Sequence, residues 1–377
     1  MYTTKFLARV RAELETPRHE RPFGSGWLSG SIGILAGITG LLMVIVLRNP
    51  SLTQMPELAA IHASGFFKPV LYFVLFAGFI LACLSMMLRK DKTLGSAAMA
   101  VTLLATMIGS LPSHRDYQLG GLFVGLDFFI INVLFTGALF IPIERILAKH
   151  KDQVVLRDDW REDLFYYLVS SLMVQILTYL TLAPSNFVTQ THDLGAVRAF
   201  ARSLPWVVQL IAIMLLTDFM QYWLHRAFHR VPALWRFHAV HHSARTMDWM
   251  AGARMHFLEI IILRAVTATP ALVIGFDESA IQAYVLLVFV YSTFLHANIG
   301  TSFGFMEKVL AAPRFHHWHH GVEDEAVDVN FAIHFPFLDK LFGTYHLPDG
   351  QWPNGYGVQG HPVPKGYWKQ LLYPFQR

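Results

Sequence analysis

Apolar runs long enough to cross a lipid bilayer recur along this chain, and no other feature restricts its fold so severely. Residues 27–47, 69–88, 94–111, 120–143, 164–183 and 205–224 each come close to the roughly 20 residues that a hydrocarbon core requires. A further pair, 257–276 and 280–295, is joined by the short polar turn Asp277-Glu278-Ser279. Inside lipid no water is available to satisfy backbone N–H and C=O groups, so segments of this length must be helical. With 54% hydrophobic and only 15% charged residues, the chain is too apolar for a soluble domain. Its formal charge of +4 does not indicate nucleic acid, because the basic residues stand at the ends of the apolar runs.

Those basic residues set an orientation. Lys5, Arg9, Arg11, Arg18 and Arg21 precede the first run, Arg89, Lys90 and Lys92 follow the second, and Arg145, Lys149 and Lys151 follow the fourth. The positive-inside rule then places the N-terminus in the cytoplasm and returns the chain there after the second, fourth and sixth spans. Residues 1–150 read as an N-terminal membrane module of about four spans, and 151–377 as the catalytic unit. The charged stretch 149–163 is the expected boundary.

Histidines gather on the cytoplasmic side of this scheme. His225 and His229 have H-x-x-x-H spacing, and both His238/His241/His242 and His316/His319/His320 have H-x-x-H-H spacing. Residues four apart share a helical face, so each pair can reach one ion from one side. His238 lies beneath both His241 and His242, which offers ligands to two neighbouring positions. These eight exceed what a single zinc needs, and two metal ions account for the number. The hairpin 257–295 returns His296 to the same face. The lone cysteine, Cys83, lies inside an apolar run, which excludes disulfides, iron–sulfur clusters and cysteine-ligated zinc. The fold expected is all-α: a polytopic integral-membrane helix bundle with a cytoplasmic, histidine-rich, metal-binding cap.

By ligand type an all-imidazole site suits iron, zinc or copper. A zinc hydrolase needs a general base, typically as H-E-x-x-H, and that motif is absent. A metal transporter would distribute its ligands across the spans, whereas these crowd one surface. Oxygen activation needs a redox metal, an open position for O2, a route for an apolar substrate and an opening for electrons, and the inferred geography supplies the last two. Asp218 lies two helical turns before His225 inside an apolar run, where a carboxylate is costly unless partnered. It is expected to accept the second ring N–H of His225 or of a neighbour.

The stretches His225-Arg-Ala-Phe-His229, Trp235-Arg-Phe-His-Ala-Val-His-His242-Ser, Phe294-Leu-His-Ala-Asn298 and Pro313-Arg-Phe-His-His-Trp-His-His320 resemble the histidine boxes of the fatty acid hydroxylase and sterol desaturase superfamily. Asp328-Val-Asn330-Phe and Leu338-Asp-Lys-Leu-Phe-Gly-Thr-Tyr345 resemble the stretch after its last box. The resemblance covers residues 164–347 and implies a membrane di-iron oxygenase that hydroxylates or desaturates a lipid, of sterol, fatty acyl or ornithine-lipid type. It implies two iron ions, with zinc able to replace them in recombinant protein, together with O2 and an external electron donor of the cytochrome b5, ferredoxin or reductase type. Ether-lipid cleavage of the alkylglycerol monooxygenase kind is the alternative within the superfamily.

Carried onto this chain, the resemblance makes His225, His229, His238, His241, His242, His296, His316, His319 and His320 the metal ligands. His256, in a stretch that also resembles the superfamily, is given a supporting or structural role, and His317 is expected to face away. Asp328, Asn330 and Asp339 are expected to orient ligands or hold the cap together. Gly300 stands where fatty acid 2-hydroxylases have a second histidine four residues after the one matching His296. That leaves Asn298 to hold a water on the metal, or one iron with a more open site.

Overall fold

The computed structural model describes residues 2–48, 67–110, 126–360 and 362–376, and among them it is helical, with no strand beyond one isolated bridge between Gly321 and Tyr356. Internal contacts divide the chain into two units, residues 1–146 with 150–157, and residues 147–149 with 158–377.

The first unit holds α1 (Tyr2–Leu14), α2 (Trp27–Arg48), α3 (Phe67–Leu88), α4 (Thr93–Ser110) and most of α5 (Leu126–Leu147). Helices α2, α3 and α4 pack on one another through small residues. A Cβ on Gly30 would stand 2.5 Å from Ser85 Oγ, and one on Gly37 2.9 Å from Thr102 Oγ1. Backbones approach this closely where side chains are absent, which is the usual basis of helix association in lipid. Residues 120–125 of the fourth apolar run lie outside the described residues.

The second unit begins with α6 (Trp160–Leu172) and α7 (Val174–Thr191) and continues through the short α8 (Gly195–Ser203) to α9 (Trp206–Arg230) and α10 (Pro232–His242). Then come the hairpin α11 (Phe257–Ile274) and α12 (Glu278–His296), and three short helices, α13 (Pro313–His319), α14 (Phe337–Phe342) and α15 (Tyr367–Leu372). The run 164–183 is not the single straight span that its composition predicts. Helix α6 ends at Met173, and the segments Trp160–Leu172 and Ile176–Thr191 meet at 55°. Near the break Ser170 Oγ donates to the Tyr166 and Tyr167 carbonyls at 2.9 and 3.2 Å, competition that bends helices. The bend lets α6 deliver buried Asp163 to Arg254 while α7 lies along α11.

Five described helices are long and apolar enough to span: α2, α3, α9, α11 and α12, with the bent pair α6–α7 as a sixth. The protein is a multi-pass integral membrane protein. Helix α9 packs against α10, α11 and α12, and its last turns rise into the layer that carries the histidines.

Candidate metal centre

Nine histidines converge in two adjacent groups. His225, His229, His238, His242 and His319 form one, and His241, His296, His316 and His320 form the other; within each group one ring nitrogen per residue lies within 4.8 Å of all the others. Helix α9 contributes His225 and His229, and α12 contributes His296 as its last residue. Helices α10 and α13 serve both groups. Each starts with proline in its first turn, where a missing N–H costs nothing. From α10, His238 and His242 face the five-histidine group and His241 the other. From α13 the division reverses, with His319 in the first group and His316 and His320 in the second. The two groups touch where His242 and His320 stack with centroids 4.3 Å apart.

Backbone carbonyls fix the direction of these rings. Nδ1 of His225 bonds the Phe331 carbonyl at 2.9 Å, His319 that of Val329 at 2.8 Å, His241 that of Arg254 at 3.1 Å, and His296 that of Ser292 at 2.7 Å. His238 Nδ1 lies 2.5 Å from the buried carboxylate of Glu259. A carbonyl oxygen only accepts, so Nδ1 carries the proton in those four rings and Nε2 turns a lone pair inward. Inward nitrogens nevertheless stand close: His241 and His296 Nε2 are 3.2 Å apart, and His225 and His238 Nε2 3.0 Å. Two lone pairs at that separation repel unless a cation lies between them. A cation about 2.1 Å from each of two nitrogens at a right angle puts them about 3.0 Å apart. Nε2 of His229 and His319, and Nδ1 of His316 and His320, are also buried without a hydrogen-bond partner. The histidine clusters fit a metal site.

The pocket also keeps its imidazoles neutral, as metal binding requires. Burial, reinforced by neighbouring imidazoles, holds His238, His241, His242, His316, His319 and His320 well below the usual 6.5. Burial also lowers His334, in the cap, to about 4. In the unfolded chain these rings take protons at about 6.5, whereas the folded chain resists them to lower pH. Their contribution to stability is therefore complete above about 6.5 and is lost as pH falls below it. Metal-free protein in detergent is expected to melt at lower temperature at pH 5 than at pH 7.5, and an unchanged or higher melting temperature at pH 5 would contradict this.

Two supports hold the rings. The first is the loop 329–335. Asp218 does not accept from His225, contrary to the expectation from its place on the helix. Its Oδ1 accepts the Ile333 and His334 N–H groups at 2.8 and 3.2 Å, and its Oδ2 that of Phe335 at 2.7 Å. The loop folds over the α9 face that carries both residues, and its backbone N–H groups reach the carboxylate. Asp218 thus anchors the loop whose Phe331 carbonyl holds His225. Asp339 accepts the Phe331 and Ala332 N–H groups at 2.7 and 3.0 Å, and Asn330 Nδ2 donates to the Phe315 and His346 carbonyls. Asp328 and Asn330 both adopt left-handed backbone, φ 59° and 58°. Asp328 brings its carboxylate to 3.4 Å from His229 Nδ1 and 3.2 Å from Arg230.

The second support is the turn 248–254. Asp248 Oδ1 accepts the Met250 and Ala251 N–H groups at 3.0 Å each, and Arg254 pairs with Asp163 at 2.6 Å. Within it Gly252 faces the His296 ring so closely that a Cβ would lie 2.9 Å from Nδ1. Gly252→Ala is expected to tilt His296 and weaken metal held by the four-histidine group about 10- to 100-fold, as changes to ligand-orienting groups do. Metal titration of the variant reads this directly.

The other expected residues fall outside the two groups. His256 caps α11, its Nδ1 accepting the Leu258 N–H at 3.2 Å and its Nε2 bonding the Leu371 carbonyl at 3.1 Å. His317 bonds the Tyr356 hydroxyl at 3.0 Å. Asn298 is buried beside the end of α12. Gly300 has no room for a ligand: a Cβ there would meet the Lys149 backbone at 2.7 Å, and its N–H donates to the Leu147 carbonyl at 2.7 Å. Gly252 is not marked by any motif, and Glu259, which ends the superfamily-like stretch around His256, is given no role of its own by the sequence. Its signal is an acid within an apolar run.

Comparison with known proteins bears on the same residues. The family model for fatty acid hydroxylase matches residues 210–344. Ornithine lipid hydroxylase OlsE of Rhizobium tropici is 28% identical over 179 residues, 46% of this chain and 52% of that protein. Human alkylglycerol monooxygenase is 30% identical over 128 residues, 34% of this chain and 28% of that protein. A putative methylsterol monooxygenase of Dictyostelium discoideum is 28% identical over 245 residues, 61% of this chain and 86% of that protein. The chain thus spans about half of the ornithine lipid hydroxylase and under a third of the alkylglycerol monooxygenase. No solved structure matches. The matched segment contains all nine converging histidines with their spacing and order, and it is this segment, residues 210–344, that is similar to the fatty acid hydroxylase family.

Proposed function

We propose that the protein is a membrane di-iron oxygenase that hydroxylates or desaturates a lipid, with the nine converging histidines as its metal ligands. The observation that carries this reading is the pair of inward Nε2 approaches, His241 to His296 at 3.2 Å and His225 to His238 at 3.0 Å, in rings whose other nitrogen is already committed. Five imidazoles would hold one iron and four the other. When bound, the irons supply O2 activation and a high-valent oxidant for an unactivated C–H bond.

The chain's own residues supply geometry. The carbonyls of Phe331, Val329, Arg254 and Ser292 fix four tautomers, and Glu259 holds His238. Eight of the nine rings are buried, which keeps bulk water from them. Helices α9 and α12 carry ligands at the ends of membrane spans, which sets the centre beside the bilayer that would hold a lipid substrate. The basic residues flanking the spans support a cytoplasmic N-terminus and a cytoplasmic histidine cluster.

Hydroxylation puts one atom of O2 into the lipid and releases the other as water, consuming two electrons and two protons. A separate electron donor protein must supply those electrons. The names of the relatives favour ornithine-lipid, ether-lipid or sterol substrates, all membrane lipids. Lipids extracted from cells with and without the gene, grown under 18O2, test the reading. A lipid species bearing one 18O, or lacking two hydrogens, only when the gene is present is the expected result. Identical lipidomes with an iron-loaded, correctly inserted protein would overturn it.

A further inference from the structure

Outside its spans the second unit exposes an apolar surface made by two short elements, the turn 303–309 and α14. Phe305 is 74% exposed and Leu341 67%, with Met306, Val309 and Phe337 exposed beside them. Both elements turn their acids inward. Glu307 is buried against Arg314 and accepts the Phe303 N–H, and Asp339 is buried on the loop 331–332. Lysines take the outward positions: Lys308 and Lys340 are exposed, and the two elements meet where Lys340 Nζ donates to the Lys308 carbonyl at 3.3 Å. The outward face is thus apolar with two cations and no acid of its own.

Ring contacts fasten this face to the flanks of membrane spans. Phe303 packs on Phe294 of α12 with centroids 5.6 Å apart, and Phe342 of α14 packs on Trp223 and Phe219 of α9 at 4.8 and 6.5 Å. Trp223 and Phe219 end a stripe of exposed apolar residues on α9 that includes Val208, Ile211 and Leu215. Such a stripe on a spanning helix faces lipid, and a tryptophan at its end marks the membrane–water boundary. The surface of the turn and α14 continues that stripe past the end of the span.

We propose that the turn 303–309 and α14 are sunk into the interfacial layer of the leaflet on the histidine side. Phe305, Met306, Val309, Phe337 and Leu341 enter the acyl boundary, and Lys308 and Lys340 meet anionic lipid headgroups. Aliphatic and aromatic side chains beside lysines are the composition that binds at this depth. Each lysine near an anionic surface adds attraction that salt screens. The proposal goes beyond the oxygenase reading and stands without it, since it concerns how the cap meets the membrane.

The test uses the full chain with Cys83→Ser, carrying a single fluorescent label at Phe305→Cys or Leu341→Cys, with Glu325→Cys as an exposed control outside the surface. Vesicles are phosphatidylcholine alone or with phosphatidylglycerol. Lipid carrying a shallow quencher is expected to quench the labels at 305 and 341 several-fold more than the control, and aqueous iodide several-fold less. Adding Lys308→Glu with Lys340→Glu is expected to remove the extra lipid quenching that phosphatidylglycerol gives. Iodide access equal to the control would overturn the proposal. So would protection that follows protein concentration rather than lipid, which would mark an interface between two copies. Labelled protein whose thermal unfolding matches that of the unlabelled chain has a folded cap, so a misfolded variant is recognised separately.

Discussion

His241→Ala is expected to abolish lipid oxidation and to lower bound metal from about two ions per chain to about one, with the spans still inserted. The four-histidine group would keep His296, His316 and His320, but the lost ring is one whose lone pair is already aimed by the Arg254 carbonyl. No neighbour can take its place: His256 and His317 are bonded outside both groups, and Asn298 cannot restore an imidazole. His319→Ala should act likewise on the five-histidine group. His317→Ala is the internal comparison, because that ring bonds Tyr356 outside both groups. It should retain metal at both sites. Metal analysis of the three variants in detergent reads the outcome, and a full complement in His241→Ala would contradict the ligand assignment.

Asp218→Ala is expected to cost about 3 kcal/mol or more of stability, because it leaves three buried N–H donors of residues 333–335 without an acceptor, each worth about 1–3 kcal/mol. The same loop carries the Phe331 carbonyl that orients His225, so metal affinity at the five-histidine group should fall as well. Asp218→Asn keeps one carboxyl-like oxygen but turns an NH2 toward donors, and should lie between alanine and the native residue. Thermal unfolding with and without metal measures both effects. A variant that melts normally yet loses metal would show Asp218 acting on the ring rather than on the loop.

The contrast between Asp218 and the histidines shows what the sequence could convey. Spacing at i and i+4 is a property of residue type and position, so the shared faces of His225 with His229, His238 with His242 and His316 with His320 follow from residue order alone. So do the apolar runs, since lipid demands length and composition. What holds the rings is not legible in the same way, because four of the six identified Nδ1 partners are backbone carbonyls, and a carbonyl has no residue signature. Asp218 stands out as a buried acid, but its helix face also meets the loop 333–335, and the backbone donors there are more numerous than the single ring N–H. Glu259 is visible as an acid in an apolar hairpin, but its partner is not, because nothing in the sequence ties it to a ring 21 residues earlier. The break at Met173 is hidden for the opposite reason: the run 164–183 stays apolar enough to span despite Ser170, Ser171 and Gln175 near the break, while Ser170 and the pairing of Asp163 with Arg254 act on the backbone.

Two cations in adjacent imidazole groups are the claim on which the rest depends. The direct measurement is the metal content and Mössbauer spectrum of full-length protein purified from cells grown on 57Fe. Two iron equivalents per chain in a nitrogen-rich coordination sphere is the predicted result. Protein that is folded and membrane-inserted yet binds a single ion, or none after iron is restored, would contradict it.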